Sequence, residues 1–531
     1  MTNEKPLVVI KRKKKTLKDQ RNSGNQDPLQ EKELNLEVVK AEIMTALGQT
    51  VDLKIDDIKI AETDGLLFFL ESTIETALLK ETFINKKMYE TKPEFNLLTK
   101  EGLTEFCQQE FGGSGFQLVT SVNEVVTAML NGSIAIAIKS CSFFITIEMG
   151  NTQYRQVSEP TSQTVIRGSK DSFVESLSTN QSLIRRRIKN KNLHFEEFII
   201  GHETKTKINL VYVKGIANEE IIEEIRTRLN KINVSAIFES ANIEELIADK
   251  TLTVFPLALN TERPDTVAGN IMEGKIGIIV DGTPFVLLLP TVFTDFFVSS
   301  EDYYHNFFVS SFIRILRYIC FMIVLLTPAA YVGVLTYDQE MLPTNLLISI
   351  AAQREGVPFP AVVEVFIMEF TFEILREAGI RMPRAVGQTV SIVGALVVGQ
   401  AAAQAGLISN IMVIIVAITA TANFVAPVYS LASATRMLRF VLIIISAFFG
   451  LYGILLGLIV MVAHLASLRS FGVPYLAPVA PFNVKDQKDQ LIIFPYWSMN
   501  RRPGYLRSPQ QEKKNKTVSP SPPDMLRGND Q

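Results

Sequence analysis

The chain has 531 residues, more than one ordinary hydrophobic core accounts for, so two or more structural units are expected. Its 53 Lys and Arg nearly balance its 55 Asp and Glu, which gives no support for a nucleic-acid partner. The widely separated Cys107, Cys141 and Cys320 exclude a disulfide framework and a Cys-x-x-Cys motif. Long uncharged apolar stretches occur only after Glu301, which predicts a soluble part followed by a membrane part.

The chain begins with a polar, basic segment. Residues 1–34 have no periodicity and are predicted to be a disordered basic tail. They contain no apolar run long enough for a signal peptide, so we expect the soluble part on the cytoplasmic side. Residues 35–155 follow as a first small soluble α/β subdomain. Its predicted elements are helices over 38–47 and 125–130 and strands over 134–138 and 143–147.

A second soluble α/β subdomain is predicted over residues 165–300. Its elements are strands over 208–213, 234–238, 275–280 and 285–289 and helices over 219–229 and 243–248. Asp281-Gly282 supplies the positive φ that a tight turn needs, so the last two strands are expected to pair as a hairpin. No internal repeat is visible in the sequence. The predicted fold class is a cytoplasmic α/β (α+β) region of two subdomains followed by a transmembrane bundle of four to six helices.

A helical membrane domain is predicted over residues 310–466. Its expected spans lie near 318–337, 385–405, 409–430 and 440–463. Arg314 and Arg317 precede the first span and are expected to reach up to the lipid headgroups. Residues 361–378 are apolar but carry five charges, so spanning, re-entrant and interfacial arrangements all stay open for them. The remainder, residues 467–531, is predicted to be a soluble C-terminal tail.

The side of the C-terminal tail depends on residues 361–378. If they span, the basic residues of the membrane domain lie on the cytoplasmic side, as the positive-inside rule favours, and the tail lies outside. If they do not span, the tail returns to the cytoplasmic side and those basic residues lie outside. The basic residues concerned are Arg381, Arg384, Arg436 and Arg439.

Small residues recur every fourth position along the predicted 385–405 helix. They are Gly387, Ser391, Ala395, Gly399 and Ala403. Such spacing lets another helix approach closely, so ordinary tight packing is one interpretation. Gln388, Gln400 and Gln404 belong to the same helix, and their amides cannot stay dry in lipid. The second interpretation is therefore a water-lined path or an oligomer axis.

The acidic segment 361–378 is a candidate gate. Its charged residues Glu369, Glu373, Arg376 and Glu377 fall on one arc of a helical wheel. An interfacial amphipathic helix with internal ion pairs would have this pattern, and so would a gate or an element that attracts ions. Pro358 and Pro360 precede the segment and restrict the backbone twice, which predicts a stiff elbow that could act as a hinge.

The sequence gives no sign of catalysis or of a cofactor. Its four histidines lack the spacing of metal ligands, and it contains no Gly-x-Ser-x-Gly elbow. Residues 269–275 match the start of a phosphate-binding loop, but Ile276 stands where Ser or Thr must reach magnesium. We therefore expect no enzyme activity, no cofactor and no metal site.

Several uncommon strings occur in one order between residues 165 and 503. They are Arg167-Gly168, Leu183-Ile184-Arg185-Arg186-Arg187, Thr261-Glu262-Arg263-Pro264-Asp265, Asp302-Tyr303-Tyr304, Val357-Pro358-Phe359-Pro360, Arg376-Glu377-Ala378-Gly379, Gly387-Gln388 and Ser470-Phe471-Gly472-Val473-Pro474. In this order the strings resemble the A subunit of the nutrient germinant receptors of spore-forming bacteria, the GerA family. The chain departs from the family at Asp338, where a histidine is expected, and residues 1–160 carry less of the resemblance.

The resemblance implies a receptor in the inner spore membrane, with the N-terminal part on the spore core side. It implies a transporter-like B subunit that binds the nutrient and a lipoprotein C subunit. It also implies that copies of this chain form a homo-oligomeric ring in the membrane lipid, which transduces the signal or conducts monovalent cations. The candidate pore-lining residues are Gly394, Val397, Val398, Gln400 and Gln404. The candidate gate and hinge residues are Pro358, Pro360, Glu369, Glu373 and Arg376. A secondary transporter component and a non-conducting membrane scaffold are the alternative functions.

Overall fold

A computed structural model of the chain describes residues 35–60, 63–76, 79, 99–111, 115–150, 159–382 and 399–513. The strands are β1 (Leu53–Ile60), β2 (Thr63–Leu70), β3 (Phe116–Val119), β4 (Ser133–Ile138), β5 (Phe144–Glu148), β6 (Leu193–Ile200), β7 (Thr206–Val213), β8 (Leu259–Thr261), β9 (Ile276–Val280), β10 (Val286–Leu289), β11 (Arg469–Ser470) and β12 (Val473–Pro474). The predicted disordered tail 1–34 lies outside the described residues.

The helices of eight or more residues fall into two groups. Those of the sheet-containing part are α1 (Leu36–Leu47), α2 (Lys100–Phe111), α3 (Val122–Leu130), α4 (Leu177–Arg187), α5 (Glu219–Lys231), α6 (Ser240–Ile247) and α7 (Pro264–Glu273). Those of the helical part are α8 (Phe307–Thr336), α9 (Thr344–Arg354), α10 (Ala361–Arg381), α11 (Asn410–Asn423) and α12 (Tyr429–Ser467). A shorter helical segment covers residues 399–404.

The first sheet is antiparallel, with the strand order β1-β2-β4-β5-β3. Alternate residues of a strand point to opposite faces. In β4, Ile134 and Ile136 therefore enter the core on the α2 side, while Ala135 and Ala137 enter the core beneath α1 and α3. Both faces are covered, and the helices and strands predicted within residues 38–147 are confirmed.

The second sheet repeats the arrangement of the first. Its order β6-β7-β9-β10-β8 is the same permutation of an antiparallel sheet, and the helices α4 and α7 pack together as α1 and α3 do. The expectation that the chain contains no internal repeat is therefore wrong at the level of topology. A backbone arrangement can recur with different side chains as long as each strand keeps its apolar alternation, so sequence comparison within the chain does not detect it.

The hairpin predicted around Asp281-Gly282 is confirmed, since β9 and β10 pair antiparallel. The strand predicted over 234–238 is wrong. That segment makes only two backbone bonds to the turn after β6, from His202 N to Val234 O (3.1 Å) and from Glu203 N to Ser235 O (2.8 Å). Ile237 is buried in the core together with residues of α5 and α6, so its apolar side chain is satisfied without strand pairing.

A buried ion pair joins the two sheet units. The Arg185 Nη2 lies 2.9 Å from the Asp52 Oδ2, and both side chains are at most 1% exposed. Ser72 donates a further hydrogen bond to Asp52. Beside them the backbone N–H of Val51 donates to the carbonyl of Phe195 at 3.1 Å. Main-chain and side-chain bonds therefore hold the two units in one fixed arrangement.

Two helices in the described part of the chain, α8 and α12, are long and apolar enough to cross a membrane. The second of them is sharply bent. Gly450 has φ 60° and ψ -149°, outside the helical region, and a Cβ on Gly457 would lie 2.6 Å from Leu442 Cδ2. In a straight helix those two residues would be about 22 Å apart. Residues 429–449 and 451–467 therefore form two antiparallel arms, here called the outward arm and the return arm.

This bend corrects the single helix expected near 440–463. The residues on both sides of Gly450 are uniformly apolar, so composition marks no boundary there. Glycine adopts the positive φ of this turn readily because it has no Cβ. A Cβ at residue 450 would also stand 2.8 Å from an oxygen of Asp338. The turn thus also locates the far end of α8, which closes against it.

Contacts along α8 give the direction of the other helices. Ser409, at the start of α11, lies 3.2 Å from the Tyr331 hydroxyl, near the far end of α8, whereas Ala422 packs on Cys320 closer to the sheet units. Helix α11 therefore runs back toward the sheet units. The return arm ends on the same side, where the His464 ring lies 3.0 Å from the Thr253 hydroxyl.

The C-terminal segment 468–513 packs on the second sheet unit. The Tyr475 hydroxyl donates to the carbonyl of Pro256 at 2.8 Å, and Arg502 Nε donates to the carbonyl of Met272 at 2.9 Å. Ser470 bonds to the carbonyl of Leu257 at 2.9 Å. The tail and the sheet units consequently lie at the same end of the helical part.

Candidate functional site

The helical part contains a buried cluster of charges between α10 and the outward arm. Glu369 Oε2 lies 2.8 Å from Arg439 Nη2, and each side chain is 1% exposed. Glu373 lies 3.5 Å from both Arg439 and Arg436, and Arg376 pairs with Glu373 along α10. The structure thus brings together the predicted gate residues Glu369, Glu373 and Arg376.

Their two arginine partners on α12 were missed as part of this site. From the sequence, Arg436 and Arg439 were considered only as basic residues that bear on orientation. Two arginines three residues apart in an otherwise uncharged apolar helix are a signal in themselves, because a charge in such surroundings needs a partner. The acidic face of α10 is the matching partner.

The charge cluster is paired but poorly hydrogen-bonded. Among the described residues, neither oxygen of Glu369 and neither Nε nor Nη2 of Arg439 has a hydrogen bond of good geometry. Buried polar groups that lack hydrogen bonds raise the free energy of a packed state. The charged groups therefore contribute to the contact between α10 and the outward arm mainly through charge attraction, beside the stacked rings of Phe366 and Phe440.

A second contact of α10 fixes its far end. Glu364 is fully buried and accepts a 2.6 Å hydrogen bond from the backbone N–H of Ser409, the residue that caps α11. Arg354 of α9 lies 3.6 Å from the other oxygen of the same carboxylate. One glutamate therefore ties together three helices.

The predicted elbow connects α9 to α10. Pro360 is the N-cap residue of α10, and its carbonyl accepts the backbone N–H of Val363 at 3.0 Å. The carbonyl oxygen of Gly356 lies 3.3 Å from the position that a Cβ on Gly406 would occupy. The elbow, which also contains the exposed Pro358, thus touches the turn between segment 399–404 and α11.

Segment 399–404 has two different faces. Gly399 is buried against Val413 of α11, and Ala403 also packs on the helical core. Gln400 and Gln404 are exposed. The remaining predicted pore and packing residues lie outside the described residues; they are Gly387, Ser391, Gly394, Ala395, Val397 and Val398.

A further charge cluster joins the start of α8 to its surroundings. Asp302 is buried and accepts hydrogen bonds from Arg314 at 3.1 Å and from Arg317 at 2.7 Å. Arg314 also reaches Asp489 of the C-terminal segment at 3.1 Å. The expectation that Arg314 and Arg317 extend to lipid headgroups is therefore wrong, because a buried carboxylate provides a closer partner than the lipid.

Three of the sequence strings converge just before this junction. Gly168 has φ 141°, and a Cβ on it would lie 2.8 Å from the Tyr304 ring. The Tyr304 hydroxyl donates to Asp265 at 2.9 Å, and burial together with that carboxylate raises the pKa of Tyr304 to about 12. Arg263 pairs with the same carboxylate at 2.6 Å. A continuous set of contacts therefore leads from the second sheet unit to α8.

Glu301 clamps the neighbouring segment. It accepts the backbone N–H groups of Ile166 and Arg167, both at 3.1 Å. Burial favours a raised pKa for Glu301, but hydrogen bonds from His305 and from these two N–H groups outweigh it and lower the pKa. Within the ranges that the structure describes, no group of three metal-ligating side chains comes together.

Comparison with known proteins adds to this geometry. Residues 41–505 match the model of the family described as Bacillus/Clostridium GerA spore germination protein. The chain is similar to spore germination protein KA of Bacillus subtilis (strain 168), at 44% identity over 91% of this chain and 88% of that protein. It is also similar to the uncharacterized membrane protein YfkQ of the same organism, at 44% identity over 75% of this chain and 78% of that protein.

Two further similarities were found. Spore germination protein A1 of B. subtilis (strain 168) is 37% identical over 75% of this chain and 82% of its own length. The crystal structure of the N-terminal domain of the A subunit of the Bacillus megaterium spore germinant receptor GerK3 covers 48% of this chain and 94% of that domain, at 30% identity and a TM-score of 0.38. By the family match over most of its length, this chain belongs to the GerA family of spore germination proteins.

Proposed function

We propose that the chain is the A subunit of a nutrient germinant receptor in the inner spore membrane and acts there as an oligomeric, cation-conducting signal transducer. The observation that carries the proposal is segment 399–404, in which Gly399 packs inward while Gln400 and Gln404 are exposed. Amides on a lipid-facing surface would be left without partners, so this face suits water or a second copy of the chain. A ring of such faces would line a path for monovalent cations.

In this proposal the chain divides as the sequence suggests. A basic tail (1–34) and two subdomains (35–155 and 165–300) lie on the spore core side, followed by a membrane domain (310–466) and a tail (467–531). The transporter-like B subunit binds the nutrient, and the lipoprotein C subunit completes the receptor. We expect no catalytic step from a chain that acts as a receptor subunit.

We propose six membrane crossings, made by α8, α10, the predicted span 385–405, α11, the outward arm and the return arm. The support is geometric. Helix α10 begins beside Ser409 at the far end and passes Arg436 nearer the sheet units, and the return arm ends at Thr253. Because the bend at Gly450 turns one expected span into two crossings, the total is even. Segment 361–378 can then span the membrane while the C-terminal tail stays on the cytoplasmic side.

Cysteine labelling tests this topology. A membrane-impermeant maleimide applied to intact vegetative cells that express the chain in the plasma membrane should label Glu340→Cys, between α8 and α9. It should label Asn500→Cys in the tail only after permeabilisation. Glu203→Cys in the second sheet unit is the matched control for the tail. The native cysteines are buried and should stay silent. Labelling of Asn500→Cys in intact cells would contradict six crossings.

The function itself is tested in spores. Spores that lack this chain should lose the response to one nutrient class, should fail to release monovalent cations on exposure to it, and should recover both on complementation. The B and C subunits should co-purify with the tagged chain. Unchanged cation release in the deletion strain with a lost later response would favour the non-conducting scaffold. A secondary transporter would show cation movement that saturates with substrate.

The gate, in this proposal, is α10 with its elbow. Glu369, Glu373 and Arg376 hold the helix against the outward arm, and Pro358 and Pro360 carry motion into it from α9. The stripe of small residues, Gly387, Ser391, Ala395, Gly399 and Ala403, packs the candidate pore helix onto its neighbours, leaving Gly394, Val397, Val398, Gln400 and Gln404 toward the path.

A further inference from the structure

Residues 491–497 of the C-terminal segment form a surface loop with large apolar side chains. Its exposed members are Leu491, Ile492, Phe494, Tyr496 and Trp497, of which the Tyr496 side chain is 75% exposed and the Trp497 side chain 40%. Only Ile493 turns fully into the protein. Five neighbouring exposed side chains of this kind are not expected on a surface that faces water alone.

The loop is fixed beside the first turns of α8. The Ser311 hydroxyl donates to the carbonyl of Ile493 at 3.2 Å and accepts its backbone N–H at 3.0 Å. Just before the loop, Asp489 contacts Arg314 at 3.1 Å and accepts a hydrogen bond from the Tyr303 hydroxyl at 2.8 Å. The position of the loop along α8 is therefore set by bonds at both the backbone and the side chains.

The surface of α8 at this level is apolar. Its only charged residues, Arg314 and Arg317, both turn inward to Asp302. Phe308 and Phe312 are exposed on the outer side, and exposed apolar side chains continue from there along the helix. The 30 residues of α8 measure about 45 Å, which is the thickness of a bilayer with its headgroups. Ser311 then lies within the headgroup layer.

The composition of the loop fits that layer. Tyrosine and tryptophan favour the membrane interface because each combines an apolar ring with a polar tip. Lys488 lies 6.0 Å from the centre of the Phe494 ring, and Arg501 is exposed just after the loop. Basic side chains beside an inserted loop favour anionic lipid headgroups.

From these observations we propose that residues 491–497 insert into the headgroup layer of the membrane and anchor the C-terminal segment to anionic lipid. The proposal rests on the proposed insertion of α8 in the membrane. Through Ser311 and Asp489, the anchored segment and the first turns of α8 form one unit at the lipid surface.

The chain contains one tryptophan, so Trp497 reports on the loop without labelling. The full-length protein is reconstituted in vesicles that contain anionic lipid. Lipids brominated near the headgroup end of the acyl chain should quench Trp497 strongly, lipids brominated near the bilayer centre should quench it weakly, and aqueous acrylamide should have little effect. Acrylamide quenching without bromolipid quenching would overturn the proposal, and so would protection from both quenchers, which indicates a protein partner.

A relocated tryptophan provides the control. In Trp497→Phe combined with Phe238→Trp, the reporter stands at a 75% exposed position beside Glu239, which bonds Thr283 in the β9–β10 turn. The other end of β10 leads to Phe293, which packs on Phe321 of α8. Acrylamide should quench this variant and bromolipids should not. Flotation of the vesicles distinguishes a failure of the proposed membrane insertion of α8 from a failure of the proposed lipid anchor. Protein that does not float contradicts membrane insertion itself, and floating protein with an acrylamide-accessible Trp497 contradicts only the lipid anchor.

Discussion

Replacing Arg439 by Leu should destabilise the helical part by about 3–5 kcal/mol, because Glu369 is left as a buried charge without its partner. The same change should weaken the hold of α10 on the outward arm, so spores carrying it are expected to release cations without nutrient. Thermal unfolding of the purified full-length chain in detergent measures the first effect. Cation release from dormant spores measures the second.

The joint replacement of Glu369 and Arg439 by Leu separates charge from packing. It should recover most of the lost stability, since a buried ion pair exchanged for apolar side chains is often neutral. Arg381→Leu is the matched control, because its partner Glu377 is exposed and the pair belongs to the same helix. That change should alter stability by less than about 1 kcal/mol. Equal effects of Arg439→Leu and Arg381→Leu would refute a special role for the buried pair.

The second large effect is expected at the joint between the two sheet units. Arg185→Met leaves the carboxylate of Asp52 buried and unpaired, at a cost of about 3–5 kcal/mol. Hydrogen exchange of the full-length chain should show faster exchange in α1 and β6, on the two sides of the joint. Combining Arg185→Met with Asp52→Asn should restore part of the protection, because the amide carries no charge.

A surface contact across the same joint supplies the control. Lys189 donates to Asn131 at 2.9 Å between the two units, but the contact is exposed. Lys189→Met should therefore leave hydrogen exchange nearly unchanged. If Arg185→Met behaves like Lys189→Met, the two units are not held by the buried pair, and the route from the first unit to α8 loses its first step.

Contacts between charged and polar side chains connect the first sheet unit to α8. Arg185 joins the first unit to the second, Asp265 with Tyr304 leads to the segment before α8, and Asp302 binds Arg314 and Arg317 inside α8. Each of these bonds passes between two different elements. These contacts therefore connect the first sheet unit to α8 through the second sheet unit.

Local features of the fold were predictable from the sequence. The β9–β10 hairpin follows from Asp281-Gly282 between apolar runs, and α5 follows from its amphipathic period. Both depend on contacts between residues close in the chain. The shared strand order of the two sheets depends on long-range pairing, which no local pattern encodes, and the segment 234–238 looked like a strand because Ile237 needs burial whatever its backbone does.

The site was predictable in its acidic half alone. Glu369, Glu373 and Arg376 share a helical arc, so they were recognised together. Their partnership with Arg439 depends on the turn at Gly450 and on the packing of α12, and a glycine in a uniformly apolar run does not identify itself as a turn. For the same reason, the length of the apolar run predicted a single span near 440–463, whereas the backbone forms the outward arm and the return arm.

Cation flux through reconstituted protein tests the central claim, that the helical part conducts along the face of Gln400 and Gln404. The chain and its Arg439→Leu form are each placed in vesicles loaded with a potassium-sensitive dye. Each form is also prepared with Gln400→Leu and Gln404→Leu together, and separately with Gln353→Leu at an exposed position of α9. We expect the flux to be larger in Arg439→Leu, to be abolished by the two glutamine substitutions together and to be unchanged by Gln353→Leu. Absence of flux in every form, with oligomers assembled, would contradict it.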